Sequence, residues 1–156
     1  KVILTLSFPF PQNGENRNRG KNSWKNNQKK SNNINMSTES INLNQKFKLF
    51  SDNWSPKVIA EMNDYQFKLI KINGEFIWHS HDDTDEAFIV INGELTIKFR
   101  DGKVDIKKGE MFIVPKGVEH KPIAKNECQI MVIEPKGVVN TGDKKSDLTA
   151  KNNVWI

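Results

Sequence analysis

Between residues 65 and 135 apolar and polar side chains alternate in short runs separated by turn signals. The first run, YQFKLIKI (65–72), sets Phe67, Leu69 and Ile72 against lysines. FIWHSH (76–81), EAFIVI (86–91), ELTIKFR (94–100), KVDI (103–106), EMFIV (110–114), HKPIA (120–124) and CQIMVI (128–133) follow. A period of two is the repeat of a half-buried strand. Asn73-Gly74, Asn92-Gly93, Asp101-Gly102, Lys108-Gly109, Pro115-Lys116-Gly117 and Lys125-Asn126 supply the turns between runs. Seven or eight short strands with tight turns and no long amphipathic helix predict an all-β fold, a sandwich or small barrel. A short helical turn is expected within DNWSPKVIAEMND (52–64), and an irregular tail over residues 143–156.

Composition divides the chain. From Pro11 to Asn35 it is rich in Asn and Lys and has no apolar period. Such a segment buries too little surface to offset its ordering entropy, so residues 1–39 are expected to be a disordered basic extension and residues 40–142 the barrel. Met36 opens the stretch MSTES and is the expected start of the native chain. The net charge of +5 belongs to the leader: residues 1–35 carry seven Lys and Arg against Glu15 alone, whereas residues 36–156 carry 17 against 18 acids. A nucleic-acid surface needs bases clustered on the folded part, and the sequence shows none there. No run approaches the roughly 20 apolar residues of a membrane span. The single cysteine, Cys128, excludes an internal disulfide and fits a cytoplasmic protein.

All three histidines lie at strand ends. His79 and His81 share one face of their run, because side chains i and i+2 of a strand point the same way. Glu86 opens the next run after the polar turn Asp82–Asp85, which lacks the spacing of a calcium loop. His120 follows the PKG turn. Three imidazoles and a carboxylate gathered on an inner face suit a divalent transition metal, iron, manganese, nickel, zinc or copper. Without an ion such groups are costly to bury.

The stretch GEFIWHSHDDTDEAFIVING resembles the first motif of the cupin superfamily, with Gly74, His79, His81, Glu86 and Gly93 in its fixed places. GEMFIVPKGVEHKPIA resembles the second, with Gly109, Pro115, Gly117 and His120 in place. Four residues rather than five separate Gly74 from His79, and Ala124 stands where the motif ends in Asn. The resemblance covers roughly residues 45–142. It implies a single-domain jelly-roll β-barrel of two antiparallel sheets, with a metal held by His79, His81, Glu86 and His120.

Four protein ligands leave an octahedral ion two open positions. Dioxygenase-type oxidoreductases use such a site, and so do sugar-phosphate isomerases of the mannose-6-phosphate kind. A non-enzymatic sensor or binding module for a small ligand is the third reading, and the sequence leaves enzyme and binder both open. Phosphate recognition calls for basic side chains facing the pocket, and Arg100 shares the outward parity of Lys98. Phe88, Phe99, Met111 and Ile113 are expected to line a pocket for a small organic ligand. Phe76, Trp78, Ala87, Ile89 and Ile91 are expected to face outward. They would form a patch that predicts a homodimer with Trp78 or Ile89 at its interface.

Overall fold

A computed structural model describes residues 39–156. The extension expected over residues 1–39 lies, apart from Glu39, outside them. One short helix, α1 (Leu43–Phe47), precedes seven strands: β1 (Lys57–Met62), β2 (Tyr65–Glu75), β3 (Glu86–Asn92), β4 (Glu94–Phe99), β5 (Lys103–Lys107), β6 (Met111–Val114) and β7 (His120–Pro135). Asn42 caps α1, its side chain accepting the Gln45 N–H at 3.1 Å. Among the described residues no helix is long and apolar enough to cross a membrane.

The strands form one continuous antiparallel sheet in the order β1-β2-β7-β3-β6, with β5-β4 joined to the first part of β7. The two sheets expected from sequence are therefore halves of one sheet branching at β7. Buried residues of β2 to β7 meet in a single cluster: Ile70, Ile72, Phe88, Val90, Leu95, Ile97, Ile106, Val114, Cys128, Ile130 and Val132 among them. A flat sheet does not bring six strands onto one core, so the sheet is rolled over its own inner face as a jelly roll. The roll does not close, leaving β1, β5 and β6 as edges. A second cluster on the outer face packs Phe47 of α1 against Ile59 and Leu69.

Several local expectations change. The stretch 52–64, expected to hold a short helical turn, instead carries strand β1, because Val58 and Ile59 are β-branched and Asn63 at φ 55° turns the chain back onto β2. HKPIA and CQIMVI belong to one strand. Lys125, Asn126 and Glu127 do not turn it but bulge out opposite Asn73, between the pairs Ile72–Cys128 and Gly74–Ala124. FIWHSH is not a regular strand and makes one bridge, His79 to His120. Period two therefore fails there: Phe76, expected outside, is 6 % exposed and faces the interior. On β2 it is Lys68 that points inward, at 2 % exposure, while Leu69 is buried on the outer face beneath α1. The tail is mostly turns, yet Val58 pins its end by donating to Val154 O and accepting from Ile156 N.

Candidate metal centre

His79 and His120 face each other in a narrow antiparallel pair that exchanges both backbone hydrogen bonds, at 3.1 and 2.9 Å. Their rings lie 4.3 Å apart, centroid to centroid. His81 is fixed by its carbonyl, which accepts the Gly117 N–H of the turn before β7 at 2.8 Å. The same turn is tied to the acidic loop by Lys116 N donating to the Asp85 carboxylate at 2.9 Å. Glu86, the first residue of β3, completes the group. One ligand atom from each of these four residues lies within 4.8 Å of every other, and all four residues are buried.

The proton arrangement decides what the group can hold. His79 Nδ1 and His120 Nδ1 each point at a backbone carbonyl, of Ile77 at 3.2 Å and Val118 at 2.9 Å. A carbonyl only accepts, so each Nδ1 carries the proton and each Nε2 presents a lone pair. His81 Nε2 and His120 Nε2 approach Glu86 Oε2 to 3.5 and 3.3 Å, and all three atoms are buried without a hydrogen-bond partner. With the His79 and His120 lone pairs, the Glu86 carboxylate and His81 Nε2 converging and no further donor from the described residues, the group fits a cation at its centre. Burial, reinforced by His120, lowers the His79 pKa to about 4, which keeps it neutral. Burial pushes the Glu86 carboxyl up, but His120 and His81 outweigh it when an Nε2 carries a proton and hold it at about 2. His81 is pulled down by burial and raised on balance by Glu86.

A glycine sets the back of the site. Gly142 stands at φ 56°, and a Cβ there would collide with the Ser80 carbonyl and press toward His81 Nδ1. Only a residue without a side chain lets this loop rest on the His-x-His segment. A second buried carboxylate, Glu134, lies one residue beyond Ile133, the partner of Ala87, and so sits across from Glu86. It pairs with the buried Lys68 at 2.9 Å. Burial and the Glu86 charge push its pKa up to about 7 against the pull of Lys68.

Of the expected pocket residues, Phe88 lines a cavity beside His79 and Glu86. Phe99 is half-buried against Phe112 and the core. Met111 and Ile113 do not join it, being 56 % and 49 % exposed. They pair with Ile89 and Ala87, whereas Phe112 pairs with Phe88, so the register of β6 turns them outward. The sequence reading missed Trp54, Phe76 and Asn140, which also line the cavity. Only Trp54 left a trace, as an aromatic residue in a polar loop.

The family model of the cupin domain matches residues 67–134. A cupin-2 domain containing protein from Shewanella frigidimarina is 64 % identical over 62 % of this chain and 94 % of its own, with a TM-score of 0.61. Protein NMB1881 from Neisseria meningitidis is 34 % identical over 63 % of this chain and all of its own, with a TM-score of 0.58. The curated protein YdbB of Bacillus subtilis is 42 % identical over 64 residues, 40 % of this chain; the match spans 57 % of YdbB, little more than half its length.

Metal affinity should fall by at least about 100-fold in His120→Ala, beyond the loss usual for an outer-shell change. A smaller loss should follow in Gly142→Ala, which displaces the Ser80–His81 backbone. Affinity should also decline with acidity from the neutral range downward, because protons compete with the metal for His81, whose pKa Glu86 raises on balance against burial. His79, held at about 4, takes a proton only in more acidic solution. Competition with a chromophoric chelator between pH 8 and pH 4 measures all three effects, and an affinity flat down to pH 5 would contradict the assignment.

Proposed function

The chain belongs to the cupin superfamily, and on that premise we propose that it is a metal-dependent oxidoreductase of the dioxygenase type. Its centre holds one divalent transition metal through His79, His81, Glu86 and His120 and acts on a small polar organic ligand. The observation that carries this reading is the cavity against the ligand set, of ≈ 30 Å³. Apart from His79 and Glu86, its walls are apolar or aromatic: Trp54, Ile70, Ile72, Phe76, Phe88 and Ile130 among them. Asn140 is the one other polar residue, and its amide is occupied. It donates to the carbonyls of Trp54 and Leu148 and accepts from the Ala150 N–H. Dioxygen, small and apolar, suits such walls better than a hydrated anion does.

A metal bound there supplies Lewis acidity and, where redox-active, electron transfer to and from dioxygen. The chain does the rest. The Ile77 and Val118 carbonyls lock two imidazoles in the metal-binding tautomer, Glu86 contributes the one negative charge, and the apolar walls exclude water. A sugar-phosphate isomerase would want cations facing the cavity. None lines it. Arg100 lies outside, stacked on Trp78 at 3.9 Å and paired with Glu119, and Lys68 is engaged by Glu134. A binding module would use the same ligands with a metal that needs no redox chemistry. Elemental analysis of protein purified without chelators or a His tag separates these readings. Iron, copper, nickel or manganese near one per chain, with oxygen uptake on short hydroxy or keto acids that Glu86→Gln abolishes, is expected; stoichiometric zinc with no oxygen uptake would refute the oxidoreductase.

We also propose that two copies pair through the outer face of β7, β3 and β6. The cross-strand rows Ile133–Ala87–Ile113 and Met131–Ile89–Met111 carry no charge, so a copy meets its own surface without repulsion. A twofold interface needs only one self-complementary patch. Trp78 is already covered by Arg100, which centres the patch on Ile89. Light scattering at micromolar concentration should give a dimer mass for the native chain and a monomer mass for Ile89→Lys; a monomer in both would end the proposal.

A further inference from the structure

One aromatic residue outside the ligand set, Trp54, both lines the cavity and is partly exposed. Trp54 has φ 60°, in the left-handed region, where a bulky side chain is a rare outlier. Its backbone is held on both sides: the N–H donates to Lys71 O at 2.9 Å, and the carbonyl accepts from Asn140 at 3.1 Å. Strain of this kind persists only where the surroundings fix it, and it gathers at ligand sites. Here it aims the side chain. The indole stacks on Phe76 at 4.8 Å and 27°, and the Phe76 ring meets His79 at 5.2 Å and 80°. Three rings thus lead from the surface to a metal ligand.

The other large walls of the cavity, Ile70, Ile72, Phe76, Phe88 and Ile130, are buried core residues of the roll. Trp54 is the partly exposed aromatic among the lining residues, and its Nε1–H is satisfied by Asn73 O in an exposed bond. With the indole in place, ≈ 30 Å³ leaves room for about two water-sized groups. A six-membered ring needs several times that space, as an apolar cavity of about 150 Å³ holds benzene.

We propose that Trp54 is the size-selecting residue of the metal centre, restricting the ligands that reach it to short, ring-free oxygen donors of a few heavy atoms. The inference rests on the metal-centre reading and names the ligand class of that site. Because the Asn140 amide is already bonded, selection acts through size and the bond to the metal rather than through hydrogen bonds from the walls.

The test uses cobalt(II)-loaded protein titrated with acetohydroxamate and benzohydroxamate, which share their donor atoms and differ in a methyl against a phenyl group. Cobalt absorption reports binding, and cobalt stoichiometry is measured first. The native protein should prefer acetohydroxamate by about tenfold or more, a difference of one decade in Kd. Trp54→Gly should abolish or reverse that preference with cobalt stoichiometry unchanged. Glycine suits the positive φ, so the variant removes the ring without straining the backbone. Phe76→Leu, which widens the cavity from its inner side, should narrow the preference in the same direction. Equal binding of both hydroxamates by the native protein would overturn the inference, as would an unchanged preference in both variants. Failure to bind cobalt at all would overturn the metal-centre reading and this inference with it.

Discussion

Three imidazoles and one carboxylate converge, inside a rolled sheet, on a point where no other described residue supplies a hydrogen-bond donor. Two of the ring protons are already given to backbone carbonyls, and three of the converging atoms are buried without a partner. Each such atom costs on the order of 1–3 kcal/mol when buried alone. A divalent cation turns that cost into coordination bonds, which couples metal binding to the stability of the fold. The rest of the structure holds this unfavourable arrangement in place.

Strand β7 is the beam from which the site hangs. It pairs with β2 along most of its length, with β4 through His120–Ile123 and with β3 through Gln129–Ile133, so its first residue is anchored by its neighbours. His120 then fixes His79 through a two-way backbone pair, and the turn before it fixes His81. Behind the ligands the interior stays polar, with Gln66, Lys68 and Glu134 buried together, while the far end of the roll is aliphatic. Two carboxylates side by side in one dry region would repel. Lys68 compensates Glu134, and a metal held by the four ligands would compensate Glu86.

Most strands and the grouping of the three histidines with Glu86 were legible in the sequence because both follow from spacing. Alternation marks a strand wherever one face is wet, and His-x-His followed by Glu puts three donors on either side of one short turn. What was not legible depended on contacts from distant parts of the chain. Lys68 reads as a surface residue until α1 covers the outer face of β2 and Glu134 supplies a partner inside. Phe76 reads as outward until the 76–81 segment proves to bridge only once. Met111 and Ile113 were misplaced because the register of a four-residue strand is set by its partner, and one step reverses every side chain. The roles of Trp54, Asn140 and Gly142 come from loops that carry no period at all.

X-ray absorption at the metal edge of protein loaded with one equivalent of iron(II) or cobalt(II) tests the central claim most directly. The account predicts about six nitrogen and oxygen donors, with ring scattering from three imidazoles and the balance from Glu86 and exchangeable solvent. Scattering from fewer than two imidazoles, or a closed four-donor shell that takes no exogenous ligand, would contradict it.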